Sequence, residues 1–161
     1  MGYVWVDEQA AAAEAVRIAR DRAEEVAVAL RNELVARSPR GSGRLANSWG
    51  IDTIISGLTV RCEVYSNVQP ESTDKYLWQL HHEGTGRHGP RGRDIVPVRR
   101  LALRWRGGRG VASPRGAGYV FAKRSQGIRP NPFIVDAIAA VRAKYPDWDV
   151  EIRSTPGSPT S

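Results

Sequence analysis

The strongest constraint on the fold is the segment Glu8 to Arg37, where apolar side chains recur every three or four positions. Ala12, Val16, Ala19, Ala23, Val26, Leu30 and Leu34 fall on one stripe of a helix. Arg17, Arg20, Asp21, Arg22, Glu24, Glu25, Arg31 and Glu33 fill the other faces. Asp7 stands where it can cap the first turn, and Glu8 favours the positive end of the helix dipole. Ser38-Pro39 ends the segment, because proline disfavours helix at the residue before it. At 1.5 Å per residue such a rod is about 45 Å long. The stripe is rich in Ala and Val, so other elements can approach closely. A helix this long is covered either by its own sheet or, in part, by a second subunit.

The remainder reads as short elements. Trp49, Ile51, Thr53 and Ile55 alternate between Ser48 and Ile55, and Leu58, Val60, Cys62 and Val64 alternate between Leu58 and Ser66. With Ser56-Gly57 between them, the pattern predicts a β-hairpin with Cys62 on its apolar face as a buried, inert thiol. Lys75 to Glu83 predicts a short helix closed by Gly84-Thr85-Gly86. Ile95 to Val98, Leu101 to Trp105 and Tyr119 to Ala122 read as short strands. Asn131 as cap and Pro132 as first helical residue open a helix from Phe133 to Lys144. Trp148, Val150 and Ile152 alternate as a further strand. The expected fold is α+β: long N-terminal and C-terminal helices on a small, mostly antiparallel sheet, with long basic Gly/Arg-rich loops. One domain covers 1–153, and 154–161 form a polar tail.

The chain has 161 residues, enough for one core, with 41% hydrophobic residues and no run approaching the ~20 of a membrane span. Neither a basic region nor an apolar core of a secretory signal is present in Met1 to Asp7, so no such signal is expected. The single Cys62 leaves the fold without an internal disulfide. Net charge is +7, unevenly placed. Arg87, Arg91, Arg93, Arg99, Arg100, Arg104, Arg106, Arg109, Arg115, Lys123, Arg124 and Arg129 are opposed only by Asp94, which makes that segment +11 and the rest of the chain −4. Its many glycines read as loops around short strands. Such an arm meets phosphates or an acidic protein surface, because twelve like charges repel one another until neutralised. A solvated loop whose arginines only aid solubility is the plainer alternative. With only Trp105, Tyr119 and Phe121 interleaved, a stacking platform for single strands is poorly supported.

Catalytic patterns are sparse. His81, His82 and His88 lack the i, i+4 spacing of helical metal ligands, and one Cys excludes a cysteine-based zinc knuckle. There is no Gly-x-Ser-x-Gly elbow and no P-loop. No metal, cofactor or enzymatic activity is expected, although a small histidine-plus-arginine nuclease needs few residues and stays open.

The order of short motifs carries a resemblance. The long helix ends at Ser38-Pro39, and Ser42-Gly43-Arg44-Leu45 and Ser48-Trp49 follow. Val64-Tyr65-Ser66-Asn67 closes the hairpin, Tyr76 begins a helix ending in His82-Glu83-Gly84-Thr85-Gly86, and Ile95-Val96-Pro97 follows a basic loop. Arg129-Pro130-Asn131-Pro132-Phe133 then leads into the last helix. From about Ser38 to Val141 this succession resembles tailed-bacteriophage neck proteins, a family also described as tail-component, minor tail or tail-completion proteins. Leu77 stands where that family usually has Ala, and Gln69 to Lys75 are additional before Tyr76.

The resemblance implies a non-catalytic virion protein, assembled in the host cytoplasm, in a homo-oligomeric, commonly hexameric ring at the neck. Its implied partners are further copies of itself, a head-side connector or stopper protein, and a tail terminator or tail-tube protein. The ring leaves a channel for DNA, so that non-specific contact with the passing genome is open to it; no membrane is involved. It places assembly roles on Ser42, Gly43, Arg44, Leu45, Tyr76, Glu83, Gly84, Thr85, Arg129, Pro130, Pro132 and Phe133. Phe133 would anchor the last helix in the core, and Arg44 and Glu83 could pair within or between subunits. Tail-terminator and head-closure rings are related readings, and a basic nucleic-acid-binding module is the main alternative from another class. The charge split favours an arm that faces protein.

Overall fold

The computed structural model describes residues 7–39, 43–69, 75–106 and 119–151. It is an α+β chain as expected, with its strands divided between two separate two-stranded antiparallel sheets. Helix α1 spans Glu8–Arg37, and the hairpin strands β1 and β2 span Gly50–Ser56 and Thr59–Tyr65. Helix α2 spans Leu77–Glu83, strands β3 and β4 span Leu103–Arg106 and Tyr119–Ala122, and helix α3 spans Phe133–Lys144.

Helix α1 begins where Asp7 Oδ1 accepts from the Gln9 and Ala10 amides, at 3.1 and 3.0 Å. Its buried residues are Ala23, Val26, Ala27 and Leu34, all in the C-terminal two-thirds. Ala12, Val16 and Ala19, earlier on the same stripe, are only half-buried, and Ile18 is exposed. That half is laced instead by surface ion pairs at i, i+3 and i, i+4: Glu14–Arg17, Arg17–Asp21, Arg20–Glu24 and Arg22–Glu25. Such pairs support a helix locally where tertiary burial is thin.

The hairpin runs alongside α1. Arg31 Nε donates to the Trp49 carbonyl at 2.8 Å, and further along Thr53 Oγ1 donates to Glu24 Oε1 at 3.3 Å. Its turn lies one residue later than expected: Ser56 pairs with Thr59, leaving Gly57-Leu58 at the tip. Gly57 takes φ +59°, the left-handed region that a primed hairpin turn needs at its first position. Leu58 is therefore a turn residue, 73% exposed, rather than a core residue of the second strand. Cys62 is half-buried, within 3.5 Å of the Thr53 hydroxyl, so the expected full burial of its thiol is not observed.

Helix α3 packs on the other flank of α1 and buries Phe133, Ile134, Ala137, Ile138 and Val141. Pro132 is its cap rather than its first residue, and the Asn131 amide donates to the His81 carbonyl at 2.9 Å. The three elements converge on Trp49. Its indole meets the Phe133 ring edge-on at 6.4 Å, and its Nε1–H donates to Ser38 Oγ at 2.9 Å. The Ser38 hydroxyl in turn donates to the Leu34 carbonyl at 2.6 Å, which ties the end of α1 to the start of the hairpin. Leu34, Leu45, Trp49, Phe133, Ile134, Ala137 and Ile138 form this core.

Two expected strands are not formed. Ile95 to Val98 contributes a single bridge, Ile95 to Ser125, because Pro97 has no amide to continue a ladder. Trp148 and Val150 form no strand; Val150 packs on the core and its carbonyl accepts from Arg142. Ile152, the 154–161 tail and the 107–118 loop lie outside the described residues.

Truncating Phe133→Ala removes the ring at this junction and should destabilise the chain by about 3–5 kcal/mol in urea unfolding. Ser38→Ala strands the indole N–H and should cost about 1–3 kcal/mol in the same assay. The guanidinium groups of Arg17, Arg20 and Arg22 hold the Glu14, Glu24 and Glu25 carboxyls below their ordinary value of 4.5. The folded state thus binds protons more weakly than the unfolded one, so this support is present above the ordinary value and fades as pH falls through the lowered values. Hydrogen exchange of the α1 amides before Ala23 should accelerate below about pH 4 relative to those from Val26 to Leu34, after correction for intrinsic rates.

Candidate functional site

The motif residues divide between the core and a backbone clasp. Leu45 and Phe133 lie in the core. Gly43, with φ +74°, opens the turn that presents Leu45, and its carbonyl accepts from the Asn47 amide at 3.0 Å. Arg44 is exposed beside it. Ser42 lies outside the described residues. Ser48 and Ser66 share a hydrogen bond of 2.6 Å that closes the base of the hairpin.

The clasp brings together two motifs that lie more than forty positions apart in the chain, Glu83-Gly84-Thr85-Gly86 and Gln126 to Pro130. The Thr85 amide donates to the Ile128 carbonyl at 2.9 Å, and the Ile128 amide donates back to Thr85 Oγ1 at 2.9 Å. The Arg87 amide donates to the Gln126 carbonyl at 2.8 Å. The chains approach so closely that only glycine fits. A Cβ on Gly84 would sit 2.9 Å from the Ile128 carbonyl and from Pro130, and one on Gly127 would fall on the Thr85 carbonyl. Both take positive φ, +77° and +86°. Gly127 had no place among the expected residues, since a lone glycine in a basic loop gives no local signal of the strand it must pass.

Tyr76 precedes α2 and its amide donates to Gln79 Oε1 at 2.9 Å. At the other end of that helix Glu83 pairs with Lys75 within the chain. Pro132 and Arg129 are exposed at the entrance to α3. His81 and His82 occupy the last turn of α2, where burial pushes the His81 imidazole below its ordinary value.

The basic segment emerges from this clasp as an arm. Arg87 forms a bidentate pair with Asp94, both contacts 2.9 Å. Arg104 lies over the Tyr119 ring at 4.8 Å in the β3–β4 ribbon. Arg91, Arg93, Arg99, Arg100, Lys123, Arg124 and Arg129 are exposed, and among the described residues Arg87 alone of the arm pairs with a carboxylate. Arg106 ends β3, while Arg109 and Arg115 fall outside the described residues. Apolar side chains are exposed on the same arm: Val96, Trp105 and Phe121, and above all Val98 at 93% and Leu101 at 98%. Leu101, expected in a strand, stands instead in a bend ahead of β3.

A groove of about 680 Å³ lies between the two flanks of α1. Its floor is α1 from Ala23 to Leu34; Val60, Cys62 and Val64 of β2 line one wall, and Ile134, Ile138, Trp148 and Val150 line another. Trp78 also lines it. The lining carries Asp52, Glu63, Asp149 and Glu151 against the single cation Arg61. Asp52 and Glu63 stand directly opposite each other across the hairpin, an unfavourable pairing that Arg61 partly relieves by its contact of 3.0 Å to Glu63.

Among the described residues no cluster of three or more His, Cys, Asp or Glu side chains is arranged to hold a metal, and no helix is long and apolar enough to cross a membrane. Comparisons with protein-family models, with curated proteins and with solved structures return no match.

Gly127→Ala should open the clasp, with loss of exchange protection at Thr85, Arg87 and Ile128 and a stability loss beyond the ~1–2 kcal/mol of a left-handed residue. Gly57→Ala, at φ +59° with no atom within 4 Å of the new Cβ, should cost only that backbone term and leave the clasp protected.

Proposed function

We propose that this chain is a structural virion protein of a tailed bacteriophage, a ring subunit of the neck that joins the head connector to the tail. The observation that carries this reading is how the resemblance-bearing residues are used. Gly84, Thr85 and Pro130 meet in one clasp, while Leu45 and Phe133 meet in one core. Residues used this way specify a shape and the path of an arm, as expected of an assembly subunit. The charge split adds support: a basic arm beside an acidic body suits complementary docking between subunits or between stacked rings.

In this reading the homo-oligomeric ring, probed first as a hexamer, contacts a head-side connector or stopper protein on one side and a terminator or tail-tube protein on the other. It leaves a channel through which DNA passes. Cryo-EM of the parent particle should show this chain as a closed ring at the head–tail joint; a joint fully built from other proteins overturns the proposal.

A second reading is favoured by one feature, the exposed arginines of the arm. If the arm is a duplex-DNA binder, affinity should fall by several log units per log unit of salt. The neck reading predicts weak, shallowly salt-dependent binding of the isolated chain.

A further inference from the structure

We propose that the groove between the hairpin and α3 is completed by the basic arm of a second copy of this chain. The inference rests on the assembly reading only in taking the partner to be another copy, and it names the two surfaces that meet.

Four observations lead to it. First, the groove is an incomplete core. The hairpin and α3 each pack on α1, and among the described residues nothing fills the groove between their apolar walls. An apolar cleft of this size in a small domain marks a binding surface. Second, no residue between Glu83 and Pro132 lines it, so among the described residues the chain's own arm is elsewhere. Third, the arm carries the matching chemistry. Val98-Arg99-Arg100-Leu101 presents two nearly fully exposed apolar side chains flanking two exposed cations. Fourth, the groove lining is net acidic: Asp52, Glu63, Asp149 and Glu151 line it with Arg61, which already pairs with Glu63. Arginines entering beside Asp52 and Asp149 would meet that negative charge, while Val98 and Leu101 left water for the half-buried Trp78 and Trp148.

Arm and groove are different patches of one chain. Repeated head to tail, a contact between them generates a ring when the rotation closes or a filament when it does not; exchanged reciprocally about a two-fold axis, it generates a dimer.

The native Cys62 in the groove provides the test. A chain carrying Leu101→Cys with Cys62→Ser is mixed with the unaltered chain at high concentration and low salt, then treated with a short bis-maleimide. The expected result is a covalent dimer through position 101 of one copy and Cys62 of the other. Ala11→Cys with Cys62→Ser, on the exposed start of α1, should give at least tenfold less. Adding Arg99→Glu and Arg100→Glu to the arm chain should cut the yield at least tenfold, and Asp52→Lys with Asp149→Lys in the groove chain should restore it.

Equal yields from positions 11 and 101, no cross-link under these conditions, or a yield unmoved by charge reversal would each overturn the inference. An arm that binds duplex DNA with steep salt dependence while giving no cross-link would assign it to nucleic acid instead. The outcomes separate from those of the neck proposal. A ring at the head–tail joint without arm-in-groove contact overturns this inference alone. Cross-linking by a chain missing from that joint overturns only the neck proposal.

Discussion

Trp49 is the point on which the rest of the structure depends. Its ring meets Phe133, its N–H is held by Ser38, and its carbonyl accepts from Arg31. One residue thereby fixes the end of α1, the start of the hairpin and the first turn of α3. The indole is an effective joint because it offers a large apolar face together with one polar group that must be satisfied when buried. Ser38 is suited to receive it, since its own hydroxyl proton goes to the Leu34 carbonyl and leaves an oxygen lone pair for the indole. With the flanks joined at Trp49 and both packed on α1, the groove between them is a direct consequence of the architecture.

A second constraint holds the arm. Gly84, Gly86 and Gly127 let two backbone segments pass at distances no side chain would allow, and Thr85 satisfies the Ile128 amide. The clasp joins the end of α2 to the approach of α3, so the intervening residues leave and return at one place. The basic segment is therefore anchored at its base, and its described residues from Val96 to Leu101, apart from the half-buried Pro97, are exposed.

Much of this was legible in the sequence where one local signal sufficed. Asp7, Ser38-Pro39 and the apolar period set α1, and alternation set the hairpin to within one residue. The turn was displaced because Ser56-Gly57 and Gly57-Leu58 both place glycine in the tip, and only the second puts it first in a primed turn. Ile95 to Val98 and Trp148 to Val150 had strand-like composition but no partner strand, and pairing is a tertiary property that composition does not encode. The same limit applied to the sites. The arm was visible as a charge run, and Gly84-Thr85-Gly86 as a punctuation mark. That Thr85 reaches Ile128, or that acidic residues from the hairpin and the segment after α3 share one groove, depends on contacts between distant positions.

The +7 of the whole chain is the sum of an arm built to give positive charge and a body that carries negative charge beside an apolar cleft. The central claim is that assembly fills that cleft with the arm. Hydrogen exchange measured on the assembled and the dispersed chain tests it most directly. The account predicts that amides of Val60 to Val64, Trp148 to Val150 and Val98 to Leu101 gain protection together on assembly. Protection appearing elsewhere, with these three segments unchanged, would contradict it.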